Sequence, residues 1–222
     1  MATSARGKIT YVSLTDECYN RIKSDILNNI LPWGEQLEVA QIAQDFGVSR
    51  SPVVKAIERL AHEGLVEIVP NKGSYVRTPT IRDIDEVTEI RTAMEKLACE
   101  SAYTKNRDQL IIMLDENEQK LTAYEDRQQE IPFGVFLEYD REFHSIFAHL
   151  ADNNRLIEIF EINRNQIELF RTRTYLGPQT RRAIRRHREV LDYLKKGQLP
   201  EAINALQLHI EEVRLDTISS LP

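Results

Sequence analysis

The chain has little cysteine: Cys18 and Cys99 are the only two in 222 residues. They lie far apart and each falls inside an expected helix, which argues against a disulfide framework or a zinc knuckle and makes them small buried hydrophobes. No apolar run approaches the roughly 20 residues needed to cross a bilayer, so no membrane partner is expected. The polar opening residues 1–8 lack the apolar stretch of a secretory leader, which points to a cytoplasmic protein. Low-complexity tracts and repeats are missing, as is the His-Glu-x-x-His signature of a metalloprotease. Positive charge is not in excess either, the formal net charge being −6. Residues 1–78 hold 9 Lys/Arg and 9 Asp/Glu, whereas 79–222 hold 20 against 26. Affinity for nucleic acid comes from a local basic surface rather than the total, so this balance permits DNA binding without pointing to it.

What is present is an ordinary globular composition, 41% hydrophobic and 29% charged, long enough for two domains with separate cores. The richest signal is Gly47-Val48-Ser49-Arg50-Ser51-Pro52-Val53. A short helix, Val39 to Phe46, ends at Gly47, and a second opens at the Ser/Pro start signal. Val53, Ala56, Ile57 and Leu60 share its buried face, at i, i+3, i+4, i+7 spacing, while Arg50, Ser51, Lys55 and Arg59 occupy the open one. Two short helices around a tight glycine turn, the second basic outside, describe a helix-turn-helix. A preceding helix is expected from Thr15 to Asn29, with Thr15 and Asp16 as start signals and Ile22, Ile26, Leu27 and Ile30 as its stripe. Leu65–Val69 and Ser74–Arg77 are β-rich and flank Pro70-Asn71-Lys72-Gly73, a hairpin signal. The expected fold is mostly α: a winged helix-turn-helix over 13–78, after a disordered 1–12, and an all-α antiparallel six-helix bundle over 79–222. The bundle helices are expected near 81–104, 107–129, 134–151, 153–172, 179–196 and 200–218, with short connections making neighbours antiparallel.

Three of the five histidines can converge in that bundle. Asp140 and His144 are i, i+4 and leave one helix on the same face. His187 and His209 each lie about eleven residues from the middle of the Gly197–Pro200 turn, so antiparallel partners rising ~1.5 Å per residue bring them to one height. Leu191 and Leu194 continue the His187 face, as Leu206 and Val213 continue that of His209, so both imidazoles point inward. Three imidazoles and a carboxylate suit a divalent transition metal such as Zn, Ni, Mn or Fe. The same residues also serve as ordinary buried histidines satisfied by a carboxylate. His62 and His149 have no such partnership and read as structural.

Taken together, these residues resemble the GntR family of bacterial transcription factors, in the branch named for the fatty-acid regulator FadR, with its helical FCD effector domain. The resemblance spans about Leu14 to Arg214. It rests on Leu37–Phe46, Gly47–Val53, Glu63-Gly64-Leu65-Val66 and Asn71-Lys72-Gly73-Ser74-Tyr75-Val76 in the first part. In the second it rests on Glu89-Ile90-Arg91 with Glu95, Asp140-Arg141-Glu142-Phe143-His144, Asn154-Arg155-Leu156, and His187 with His209. The resemblance implies a metal quartet at Asp140, His144, His187 and His209. The chain departs from the family pattern at Val54, Lys55 and Trp33, where Arg, Glu and Pro are usual. Because that Arg commonly touches DNA, Val54 alters the base readout, and Lys55 can take over part of its role from the next position.

The expected function is a ligand-responsive, homodimeric regulator of a palindromic double-stranded DNA operator, not an enzyme. Ser49, Arg50, Ser51 and Lys55 on the reading helix and Lys72 and Gly73 at the wing tip are the DNA candidates. Arg50 is positioned for a bidentate contact to guanine and Ser49 for capping the helix. A small carboxylate effector is expected in a bundle cavity with the metal on its floor, its charge clamped by Arg91, which also has Glu95 as an i, i+4 partner. The alternatives are a DNA-binding dimer whose bundle only dimerises, and a metal-dependent enzyme.

Overall fold

A computed structural model describes residues 13–126, 130–171 and 178–221. The expected disorder of 1–12, the end of the helix expected to reach 129, and most of the Leu176-Gly177-Pro178 break lie outside the described residues. Contacts divide the chain between Thr78 and Pro79 into two compact units.

In the first unit, α1 (Leu14–Leu27) begins one residue before the expected Thr15, because Ser13 is the cap: its Oγ accepts from the Asp16 N–H at 3.1 Å. The helix buries Cys18, Tyr19, Ile22 and Ile26. Ile30 does not extend this stripe. The helix ends at Asn28, Asn29 turns into the left-handed region at φ 57°, and Ile30 emerges 67% exposed. The next helix, α2 (Val39–Phe46), stops at Gly47, which adopts φ 66° and ψ 31° while the Val48 N–H reaches back to the Ala43 carbonyl at 3.0 Å. That left-handed cap is open to glycine at no steric cost, whereas a side chain there costs about 1–2 kcal/mol. The third helix, α3 (Arg50–His62), buries Val53, Ala56, Ile57 and Leu60 and packs on α1 and α2.

Strands β1 (Val66–Val69) and β2 (Gly73–Val76) pair antiparallel, Val66 opposite Val76 and Val69 opposite Gly73. Asn71 (φ 61°) and Gly73 (φ 129°) supply the positive φ angles of the turn. A third segment lies along the other edge of β2. The Leu37 N–H donates to the Ser74 carbonyl at 2.8 Å, and the Val76 N–H to that of Glu35 at 2.8 Å. This edge was not expected, since residues 34–37 carry no alternating pattern. Pairing with β2 and burial of Leu37 (3% exposed) hold it there instead.

The second unit is all helical: α4 (Ile81–Asp126), α5 (Phe133–Leu150), α6 (Asn154–Arg171), α7 (Pro178–Lys195) and α8 (Leu199–Ser219). The backbone of α4 leaves helical angles at one residue, Asn106 (φ −139°, ψ 39°), where the sequence predicts a break. The break reverses the chain. Before it, Glu95 meets His144 and Lys105 meets the Ala151 carbonyl, numbers rising together; after it, Asn106 meets the Leu150 carbonyl and Asn117 that of Tyr139, one rising as the other falls. The two limbs of α4 therefore run in opposite directions along α5, giving the six antiparallel segments expected. Lys105 and Asn106 also satisfy carbonyls at the α5 C-terminus that have no partner within that helix. The α7–α8 hairpin turns at Gly197 (φ 77°), with Pro200 in the first turn of α8.

Two apolar clusters fill this unit. The larger includes Ala98, Leu114, Phe143, Phe147, Leu194 and Leu206; the smaller joins Leu121, Phe136, Tyr139, Ala183 and Ile184. Cys18 and Cys99 are both free and buried, and burial pushes the Cys99 thiol up to about 12. Among the described residues, no helix is long and apolar enough to cross a membrane.

Candidate functional site

The first unit presents an exposed polar and basic helix face. Arg50, Ser51 and Lys55 are all exposed on α3, on the side opposite Val53, Ala56 and Leu60, and Val54 lies beside them at 39% exposure. Ser49 stands at the N-cap with extended backbone angles, but its hydroxyl makes no capping bond, contrary to expectation. With that hydroxyl turned away from the helix, the first-turn N–H groups of α3 lack a cap from it. Lys72 and Gly73 are exposed at the hairpin tip. Arg59 turns back along its own unit. Its guanidinium lies 3.7 Å above the Tyr19 ring and 3.2 Å from Asp16, so it is a packing residue.

The second unit brings Asp140, His144, His187 and His209 together, although they belong to three different helices. All four are at least 96% buried, and one ligand atom from each lies within 4.8 Å of all the others. The Nε2 of His209 is 3.2 Å from that of His144 and 3.3 Å from that of His187. Asp140 Oδ1 is 3.9 Å and 3.8 Å from the same two nitrogens. Donors about 2.1 Å from a common ion stand roughly 3.0 Å apart at right angles and 3.4 Å apart at tetrahedral angles. The observed spacings fall at or a little beyond that range.

The surroundings fix the donors' orientation. His144 Nδ1 lies 2.6 Å from Glu95 Oε2, while its Nε2 lies 2.9 Å from the Arg91 guanidinium. A guanidinium only donates, so Nε2 carries the lone pair and Nδ1 carries the proton given to Glu95. A carboxylate behind a ligating imidazole is the usual device for orienting it. Phe143 stacks on the His187 ring, with centroids 3.7 Å apart and planes 8° from parallel, and Tyr139 packs against it at 5.4 Å. Arg171 grips both oxygens of Asp140, at 2.7 and 3.0 Å. Among the described residues, the buried His187 Nδ1 has no hydrogen-bond partner.

Electrostatics favour the ligating forms. Burial holds His187 and His209 well below the usual histidine range, and for His209 the charges of His187 and His144 add to it. Burial pushes the Asp140 carboxyl up, but Arg171, with His144 and His187, more than offsets this and leaves it well below normal. Glu95 is treated likewise by Arg91 and His144, and comes down to about 2. At neutral pH Asp140 and Glu95 are thus anions, and burial keeps His187 and His209 neutral. The Nε2 atoms of His144 and His187 each lie within 3.3 Å of that of His209, close enough for one cation to be shared among them.

A cavity adjoins the cluster, lined by Arg91, Asp140, Arg141, His144, Asn163 and Arg171 among others. Its volume is about 20 Å³, room for one or two waters. The cavity expected beside the cluster is therefore present but small. Arg91 and Arg171 lie across the donors and fill it. Arg91 makes the expected pair with Glu95 at 2.6 Å. Arg171 was missed, because nothing local distinguishes one more arginine at the end of α6. His149 bonds its own helix through the Ser145 carbonyl, and His62 lies exposed at the end of α3, both outside the cluster.

A winged helix-turn-helix followed by an all-helical unit is the architecture of a DNA-binding regulator. Comparison with known families agrees. Residues 14–76 match the model described as bacterial regulatory proteins, gntR family, and residues 86–212 match the FCD domain. The chain belongs to the GntR family, in the group that carries an FCD domain, and is a DNA-binding transcriptional regulator. It is 28% identical over 188 residues to the uncharacterized HTH-type transcriptional regulator YdhC of Bacillus subtilis, covering 80% of this chain and 79% of that one. It is 25% identical over 203 residues to the HTH-type transcriptional repressor RspR of Escherichia coli, covering 90% and 87%. Among solved structures, a GntR regulator from Rhodococcus sp. RHA1 superposes with a TM-score of 0.71 at 24% identity, over 95% of this chain and all of that one. Escherichia coli McbR/YncC gives 0.72 at 22%, over 95% and 98%. Both families and these relatives are regulators, not enzymes.

Proposed function

We propose that residues 13–78 bind a palindromic operator as half of a homodimer, and that residues 79–222 dimerise and set DNA affinity by sensing a small carboxylate at a metal. In this reading Arg50, Ser51 and Lys55 face the major groove, with Ser49 at a phosphate and Lys72 and Gly73 near the backbone or minor groove. Asp140, His144, His187 and His209 hold a divalent ion such as Zn, Ni, Mn or Fe, and the ion supplies fixed positive charge and coordination positions for an anion. Glu95 keeps His144 in the ligating tautomer, Arg171 holds Asp140 ionised, and Arg91 faces the adjoining cavity. The observation that carries the proposal is the convergence of four buried donors, supported by the burial that holds His187 and His209 below the usual histidine range.

The effector regulates only if it binds one arrangement of the DNA-binding units better than another. The test is metal content with a DNA-binding control. His187→Ala is expected to lower the bound metal well below that of the unaltered protein, and to leave operator binding by the metal-stripped protein intact. Equal metal stoichiometry in the variant would refute the assigned quartet. Less than about half an ion per chain in the unaltered protein, with no uptake on titration, would leave the second unit as a dimerisation module.

A further inference from the structure

Arg91 stands in an unusual place for a residue next to a cation site. Its Nε donates to Glu95 Oε1 at 2.6 Å, and its terminal NH2 reaches His144 Nε2 at 2.9 Å. Glu95 uses its other oxygen on the opposite ring nitrogen of the same histidine, at 2.6 Å. Arginine, glutamate and histidine thus close a ring of three charge-assisted contacts, all buried. The consequence lies in the imidazole. Nε2 has one in-plane lone pair, and that lone pair serves either a guanidinium N–H or a metal ion, not both.

We infer that Arg91 competes with the metal for the His144 lone pair, and that an anion entering the adjoining cavity relieves the competition by drawing the guanidinium towards itself. This rests on the metal reading above and adds a rule of coupling to it. Three observations support it. The cavity is lined by Arg91, Asp140 and His144 together, so an anion there meets the guanidinium beside the ligand that it covers. Its volume of about 20 Å³ admits no carboxylate until a lining side chain swings, and Arg91 is the one whose movement both makes room and exposes Nε2. The Glu95 contact, made through Nε, is a pivot about which the rigid guanidinium plane can tilt, moving its terminal nitrogens without the side chain leaving the site.

Linkage fixes the signs. Whatever pulls Arg91 off Nε2 tightens metal binding, and by reciprocity the bound metal tightens anion binding by the same factor. Arg91 is therefore a positioning residue that makes the two ligands cooperative, beyond being a fixed positive wall for an effector.

The experiment measures zinc affinity of the full-length, metal-stripped protein against a chromophoric chelator, with and without acetate as the anion probe. Arg91→Met is expected to bind zinc about tenfold or more tightly than the unaltered protein, the scale of one charge-assisted hydrogen bond. Arg91→Lys keeps the charge and the Glu95 pair, but its single nitrogen cannot stand at both the Nε and the terminal position, so it too should tighten zinc binding. Acetate should strengthen zinc binding more in the unaltered protein than in Arg91→Met, where only direct ligation remains. Equal or weaker zinc binding by Arg91→Met overturns the proposal. So does an Arg91→Lys variant that matches the unaltered protein, since charge alone would then explain the effect, and so does an equal acetate response. Circular dichroism checks that each variant is folded, and Arg91→Lys carries the test if Arg91→Met is not. His187→Ala run alongside separates the two levels: zinc binding that ignores His187 refutes the quartet, whereas loss in that variant with no gain at Arg91 refutes the competition alone.

Discussion

Acidification should unfold the helical unit well before chemistry elsewhere in the chain is affected. His187 and His209 are each 1% exposed and are held neutral by burial, well below their ordinary value of 6.5. In the unfolded chain they titrate near 6.5, so below that pH the unfolded state binds more protons than the folded one, and stability falls as pH falls. The contribution is fully present above about pH 6.5 and is lost on the way down towards the folded values. Between pH 7.5 and 5.5 a ring that stays neutral when folded costs up to about 1.4 kcal/mol, hence up to about 3 kcal/mol for two. Glu95 and Asp140, also depressed, act in the same direction but only at lower pH. A loss of that size corresponds to a drop of roughly 6–12 °C in Tm for a unit of this size. The assay is thermal melting with a chelator present, so that protons do not act by expelling metal. Far-UV dichroism is dominated by the second unit, while the fluorescence of Trp33, the only tryptophan and buried in the first, provides an internal control. His187→Phe, which keeps a ring against Phe143, should halve the pH dependence. A helical melting temperature that is flat or rises on acidification would refute the claim that these rings are buried neutral.

Two further outcomes concern the reading unit. Arg50→Ala should abolish specific operator binding without lowering Tm, through loss of a base contact of about 1–3 kcal/mol; normal footprinting by the variant would remove Arg50 from the reading surface. Gly47→Ala should destabilise the first unit by about 1–2 kcal/mol, because the strain lies in the left-handed backbone and not in crowding. It is read by Trp33 fluorescence, and an unchanged midpoint would show that the cap relaxes.

The winged helix-turn-helix was legible because its signals are local. The Gly47 stop, the apolar spacing of Val53, Ala56, Ile57 and Leu60, and the Asn71–Gly73 turn each act within one or two turns of chain. The break at Asn106 and the hairpin at Gly197 were legible for the same reason. Ile30 and Ser49 show where local rules fail. Periodicity cannot tell that Asn29 has already left the helix, and a serine at the right position does not ensure that its hydroxyl turns inward.

The sequence by itself determined the element order, the two units, and the convergence of Asp140, His144, His187 and His209, since i, i+4 spacing and equal distance from a turn are properties of helix geometry. Only the tertiary structure decided what surrounds those donors. Arg171 on Asp140, Phe143 on the His187 ring, Glu95 and Arg91 at opposite nitrogens of His144, and the closed cavity beside them all depend on contacts between helices far apart in sequence. Such contacts are set by packing, for which the chain carries no local period, and they set the ionisation of Asp140, the tautomer of His144 and the depressed titration of His187 and His209.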